Sequence, residues 1–261
     1  MKEIKHTQKH NPIETDTWQS LKSLTPARIA LGCTGVAIPL KEVLEFKLAH
    51  AHARDAVYSE LNEAALITAL EPFQRPIYAL HSKVQHRHEY LQRPDLGRQL
   101  HEASKKQLQT ANVPPADVAL IIVDGLSATA INNHSIPVLQ HLIPLLLKAH
   151  FTIAPLSIVH QGRVAIGDEV GSMLNAKFSV VLIGERPGLS SPDSMGAYLT
   201  YQPTVGLTDE SRNCISNIRL EGMSYQTAAE KIFYLISESF RLQYSGVGLK
   251  DNEGLFLKPL S

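Results

Sequence analysis

The residues best suited to chemistry sit in Gly184-Glu185-Arg186-Pro187-Gly188, where two glycines and a proline fix a loop around a carboxylate. At the mouth of an apolar run, Glu185 can accept hydrogen bonds from amide or hydroxyl donors of a ligand; its neighbour Arg186 offers instead a loop ion pair. Asp124-Gly125-Leu126-Ser127 sets a Gly-x-Ser after an apolar run, as hydrolases do. The second glycine of G-x-S-x-G is missing and Thr129 stands in its place, so the strained turn that exposes a nucleophilic serine is unsupported. Gly125 then reads as a point of close backbone approach and Ser127 as a helix cap, with a stand-alone α/β hydrolase using Ser127 as the alternative. Cys214 reads as a small buried hydrophobe, inert unless something lowers its pKa. His81, His86 and His88, like His50 and His52, cluster without the cysteine or carboxylate set of a familiar zinc spacing, which favours solvated imidazoles over a metal site. Neither G-x-G-x-x-G nor G-x-x-x-x-G-K-[ST] occurs, so the standard dinucleotide and P-loop motifs lack their residues.

The elements that must position these residues are three apolar runs, 118–123, 152–159 and 178–183, each ending in a glycine turn. Continuous β-branched and aliphatic runs separated by helix-length segments read as a βαβαβ unit with a parallel sheet, and ligands of such sheets bind beyond the carboxyl ends of the strands. In front, apolar Leu44, Leu48, Ala51 and Tyr58 predict an amphipathic helix over 41–62. Pro94-Asp95 predicts a second helix start, running through Leu96, Leu100 and Ala103. Ser135-Ile136-Pro137 predicts the first crossover helix, kinked at Pro144, and 168–176 fills the second crossover. A further strand is expected at 197–201, then a helix capped by Ser224 and ended by Gly246 and Gly248. The division expected is an arm at 1–27, a mainly helical section at 28–115 and an open α/β domain at 116–261.

The chain has 261 residues, enough for a sizeable core, and its 25 basic residues balance 25 acidic ones. Without a positive field, counterion-release binding to nucleic acid has little to work with. Two cysteines and a polar N-terminus fit a reducing cytosol. The stretch 125–147 carries no Asp, Glu, Lys or Arg, but its asparagines, histidines and prolines argue against a bilayer span.

Taken in order, several stretches resemble the small (light) subunit of ethanolamine ammonia-lyase: Leu48-Ala49-His50-Ala51-His52-Ala53-Arg54-Asp55, Tyr90-Leu91-Gln92-Arg93-Pro94-Asp95, Asp124-Gly125-Leu126-Ser127, Gly162-Arg163-Val164-Ala165-Ile166-Gly167-Asp168-Glu169, the loop from Gly184 to Ser194, and Arg212-Asn213-Cys214-Ile215-Ser216-Asn217. The resemblance implies a Rossmann-like, mostly parallel sheet with flanking helices. It implies a chain that covers adenosylcobalamin from one side while a (β/α)8 large subunit holds ethanolamine, converted by a radical mechanism to acetaldehyde and ammonia. Carried over by residue, the cofactor contacts fall on Val164, Glu185 and Cys214, with no catalytic residue and no metal ligand in this chain. No Asp-x-His-x-x-G occurs, so the cofactor is expected to keep its own base on cobalt. Two positions depart from the family pattern: Cys33 stands for an arginine in Gly32-Cys33-Thr34-Gly35, and Leu40 for a threonine after Pro39. They raise the alternative of a non-catalytic assembly subunit of the same fold. The N-terminus is shorter than the extension that some relatives carry for packaging in a bacterial microcompartment, which weakens that reading: the expectation is a cytoplasmic hetero-oligomer, with a place inside such a compartment as the alternative.

Overall fold

An uninterrupted aliphatic strand has to be covered on both faces, which makes it an inner strand of a layered sheet. In the computed structural model, which describes residues 13–251, the sheet has six strands. They are β1 (Ile77–His81), β2 (Ala116–Val123), β3 (Leu156–His160), β4 (Ala176–Gly184), β5 (Met195–Tyr201) and β6 (Arg212–Ile218), in the order β1-β3-β2-β4-β5-β6. The first four are mutually parallel; β5 runs antiparallel to β4, and β6 antiparallel to β5. The helices are α1 (Leu40–Tyr58), α2 (Glu63–Leu70), α3 (Arg87–Gln92), α4 (Glu102–Ala111), α5 (Ala128–Lys148), α6 (Ile166–Met173) and α7 (Tyr225–Leu242).

The period of two along a strand divides the apolar residues between two cores. Val118, Leu120 and Ile122 of β2 join Phe178, Val180 and Leu182 of β4 in a core covered by α2, α5 and α7. Ala119, Ile121 and Val123 face the other way, with Val181 and Ile183, onto α4 and α6. The α/β class with a mostly parallel sheet and flanking helices is therefore as the sequence implies. No helix among the described residues is long and apolar enough to cross a membrane.

Several elements differ from expectation. A strand, β1, arises within the section read as helical and adds to the sheet edge beside β3. Pro94-Asp95 opens only a single 3-10 turn, Leu96–Arg98; Leu100 bridges to Ser82, and the α-helix begins at Glu102, capped by His101. The first crossover helix starts nine residues before Pro137, at Ala128, where Ser127 Oγ accepts from the Ala130 amide, and it contains both prolines. Each interior proline costs about 3 kcal/mol, while each fully buried leucine or isoleucine contributes about 1.5–3 kcal/mol. Ile131, Leu139, Leu142 and Leu146 are all fully buried, so packing outweighs the two missing amides. Ser224 does cap α7, but the helix ends at a left-handed Gln243 before Gly246 is reached.

Helix α1 is the largest departure. It was expected to press Leu44, Leu48, Ala51 and Tyr58 onto the core, yet all four are exposed and Ala56 is its one buried residue. Ahead of it, Glu14 and Cys33 exchange backbone hydrogen bonds at 2.8 and 3.1 Å, a 3-10 turn spans Gln19–Leu24, and Trp18 stands 64% exposed. Of the arm expected at 1–27, positions 1–12 lie outside the described residues, as do 252–261 of the last section.

Candidate functional site

The carboxyl ends of β2, β3 and β4 deliver three loops to one edge of the sheet, and a cavity of about 640 Å³ opens between them. Glycine makes their convergence possible. Gly125 sits at φ +60°, and a Cβ there would come within 2.3 Å of the Gly184 carbonyl oxygen; the Leu126 amide donates to that same oxygen at 2.9 Å. The close approach predicted for Gly125 is thus onto the end of β4.

Glu185 follows directly and points its carboxylate back over β5 and β6. It accepts from Ser194 Oγ at 2.5 Å, Ser216 Oγ at 2.5 Å and the Asn217 amide at 3.2 Å. Arg186 has no hydrogen bond or ion pair among the described residues and is exposed, so the ion pair that competed with the acceptor reading does not form. The rest of the loop is fastened from behind. Ser127 Oγ donates to the Pro192 carbonyl at 3.1 Å, and buried His134 joins Asp193 at 3.2 Å to Tyr225 at 2.9 Å. With its Oγ shared between the Ala130 amide and Pro192, and no exposure, Ser127 is a structural cap and has no nucleophile's access.

Val164 and Glu185 both line the cavity, with Leu126 and Ile183 adding apolar surface. Cys214 stands one step back: it is the cross-strand partner of Tyr198, and Tyr198 lines the cavity. Contrary to the sequence reading, Cys214 is exposed as a residue. Protein crowding around its sulfur pushes the thiol up, the nearby Glu185 carboxylate adds to this, and a hydrogen bond with Tyr198 only partly opposes it. The thiol is held in its neutral, unreactive form.

Sequence reasoning missed the cavity's other wall. Tyr90 is fully buried, its hydroxyl donates to the Gly162 carbonyl at 3.0 Å, and its ring lies between two guanidiniums, Arg87 at 4.5 Å and Arg163 at 4.0 Å. Arg163 also donates to the Tyr90 carbonyl at 2.9 Å, and Arg87 to Val57 and Gly125 carbonyls at 2.7 and 2.8 Å. Burial pushes the Tyr90 phenol far up, so it stays a donor. The contacts of Tyr90 with Gly162 and Arg163 join residues some 70 positions apart, and no local spacing announces them. Elsewhere, exposed His81 stacks on His160 at 4.6 Å, and His160 meets Glu63 at 2.5 Å. No group of three or more His, Cys, Asp or Glu among the described residues is arranged to hold a metal.

A family model described as ethanolamine ammonia-lyase light chain matches residues 15–250. A protein named ethanolamine ammonia-lyase small subunit from Pseudomonas putida (strain GB-1) is 51% identical over 243 residues, covering 92% of this chain and 89% of its own. Its namesake from Pseudomonas aeruginosa (strain LESB58) is 52% identical over 237 residues, covering 90% and 87%. That of Pseudomonas fluorescens is 50% identical over 247 residues, covering 94% and 90%.

Proposed function

Since the chain belongs to the ethanolamine ammonia-lyase small-subunit family, we propose that its cavity holds one side of adenosylcobalamin against a large subunit that carries ethanolamine. The observation that carries this reading is the set of groups at the strand ends: a carboxylate acceptor fixed by Ser194, Ser216 and Asn217, a guanidinium without a partner among the described residues, and an apolar floor.

A corrin is a broad apolar disc rimmed by amide side chains, and the residues present suit one. Three hydrogen bonds fill three of the roughly four acceptor positions of the Glu185 carboxylate, leaving one for an amide N–H of the ligand. Arg186 has its donors unused and can serve an amide carbonyl. Val164, Leu126 and Ile183 offer the apolar contact, and Cys214 supports Tyr198 from behind without reacting. No histidine among the described residues lines the cavity, which supports a cofactor that retains its own base on cobalt. When bound, adenosylcobalamin supplies the cobalt–carbon bond from which radical chemistry starts. This chain's part is to bind, orient and exclude water, so that interactions made with the periphery favour that cleavage.

Reconstitution is the test. This chain with a matched large subunit, adenosylcobalamin and ethanolamine is expected to release ammonia and acetaldehyde, and omission of any one component to abolish it. Glu185→Ala removes a charge-assisted acceptor, for which a loss of about 10- to 100-fold in cofactor affinity is expected. No ammonia from the complete wild-type mixture, or unchanged affinity in Glu185→Ala, would overturn the proposal.

A further inference from the structure

Beyond the last paired residues of β2 and β3, Val123 and Val159, the ladder between the two strands ends. Their loops must then be held by something else, and the residue between them is Asp124, only 3% exposed. One of its oxygens accepts from the Gly125 amide at 2.8 Å and the Gly162 amide at 3.2 Å, and the other from the Gln161 amide at 2.8 Å. We propose that Asp124 is a positioning residue of the cavity: its carboxylate sets the distance between the wall bearing Leu126 and the wall bearing Arg163 and Val164.

The geometry separates this from an ordinary buried ion pair. Arg87 is nearby, but its guanidinium donates to the Gly125 and Val57 carbonyls and makes no salt bridge to Asp124. The charge on Asp124 is therefore met by backbone amides from two loops, and every one of them donates. An asparagine of the same shape cannot replace it, because its amide nitrogen would face one of those N–H groups. The loop after β3 would then keep only one of its two hydrogen bonds to Asp124, freeing the wall that bears Val164 to shift, while the strands below keep their pairing.

This inference rests on the cofactor reading above, and its test separates the two. Cyanocobalamin, an unreactive probe, is titrated into the assembled two-subunit complex and the bound fraction read by ultrafiltration and visible absorbance. Asp124→Asn is expected to raise the dissociation constant about tenfold or more. At saturating adenosylcobalamin the variant complex should still turn over, and its far-ultraviolet ellipticity should match wild type, a combination that general loss of folding does not produce. Leu235→Ala, a core truncation on α7 away from the cavity, serves as the control that lowers thermal stability without raising the dissociation constant. Where Asp124→Asn fails to assemble, Gly162→Ala decides: its Cβ would come within 2.6 Å of Val123 and push the Gly162 amide away from an intact carboxylate, with the same rise expected. Wild-type affinity in either folded variant, or an equal loss in the Leu235→Ala control, overturns the assignment of Asp124. A wild-type complex that binds no cyanocobalamin brings down the cofactor reading itself, and this inference with it.

Discussion

The loops at the strand ends carry few apolar residues and helix α1 carries many, and they are built in opposite ways. At the crevice, backbone is fixed several times over: Gly125 against Gly184, Asp124 on three amides, Tyr90 between two guanidiniums. Helix α1 has 19 residues and a single buried one. The lesson is that the amount of apolar sequence says little about how firmly a region is held; the number of independent constraints on its backbone says more.

The comparison can be broken at four points. Gly184→Ala should do most damage, because its Cβ would meet the Ser127 and Asp124 carbonyl oxygens at 2.0 and 2.6 Å. Backbone cannot rotate aside, so a loss of more than about 4 kcal/mol in urea unfolding, or failure to fold, is expected. Tyr90→Phe keeps the ring between Arg87 and Arg163 but leaves the buried Gly162 carbonyl without its donor, costing about 1–3 kcal/mol by the same measurement.

The amino end of β2 sharpens the contrast through pH. Burial alone would raise the Asp117 carboxyl, but hydrogen bonds from Thr152 and Lys177 outweigh it and hold the group below its ordinary value. A folded pKa below the unfolded one, near 4, adds stability above that pH, and the gain disappears as pH falls through the folded value. Urea midpoints of wild type and Asp117→Asn should therefore differ at pH 7, and the gap should narrow as pH falls below about 4. A constant gap would show that the charge of Asp117 is irrelevant. Smallest of all, Leu44→Ala on α1 should change the stability of the isolated chain by no more than about 0.5 kcal/mol, since Leu44 is 55% exposed and alanine is as good a helix former. A cost of 2 kcal/mol, typical of buried leucines, would erase the distinction between the regions.

Much of the fold was legible because it follows from local rules. The aliphatic runs of β2, β3 and β4 show the pattern of strands covered on both faces, and Ser127 and Ser224 cap the helices they precede. Gly125 was legible as a close approach, though not its partner, since Gly184 lies 59 positions away. What escaped obeys long-range terms. Strand β1 is five residues long with a histidine at its end, too short for periodicity to separate it from its helical surroundings. The start of α5 was misread because Pro137 mimics a first-turn proline, and only the packing of the finished helix shows that it can be tolerated inside. The sequence does not show β6, because Asn213, Cys214, Ser216 and Asn217 break its apolar alternation; the side chains of Ser216 and Asn213 bond Glu185 and the C-terminal loop. At the site, Glu185 was legible as an acceptor, whereas its donors and the Tyr90 wall come from segments that only folding brings near.

The position of Trp18, the one tryptophan in the chain, has a practical consequence. It sits in the front segment, mostly in water and far in sequence from every strand, so its emission will change little when the sheet comes apart. An intrinsic-fluorescence melt would record whatever happens around the 3-10 turn before α1, and its midpoint need not coincide with loss of ellipticity. An indole engineered at Phe178, fully buried near the amino end of β4, would report on the collapse that matters.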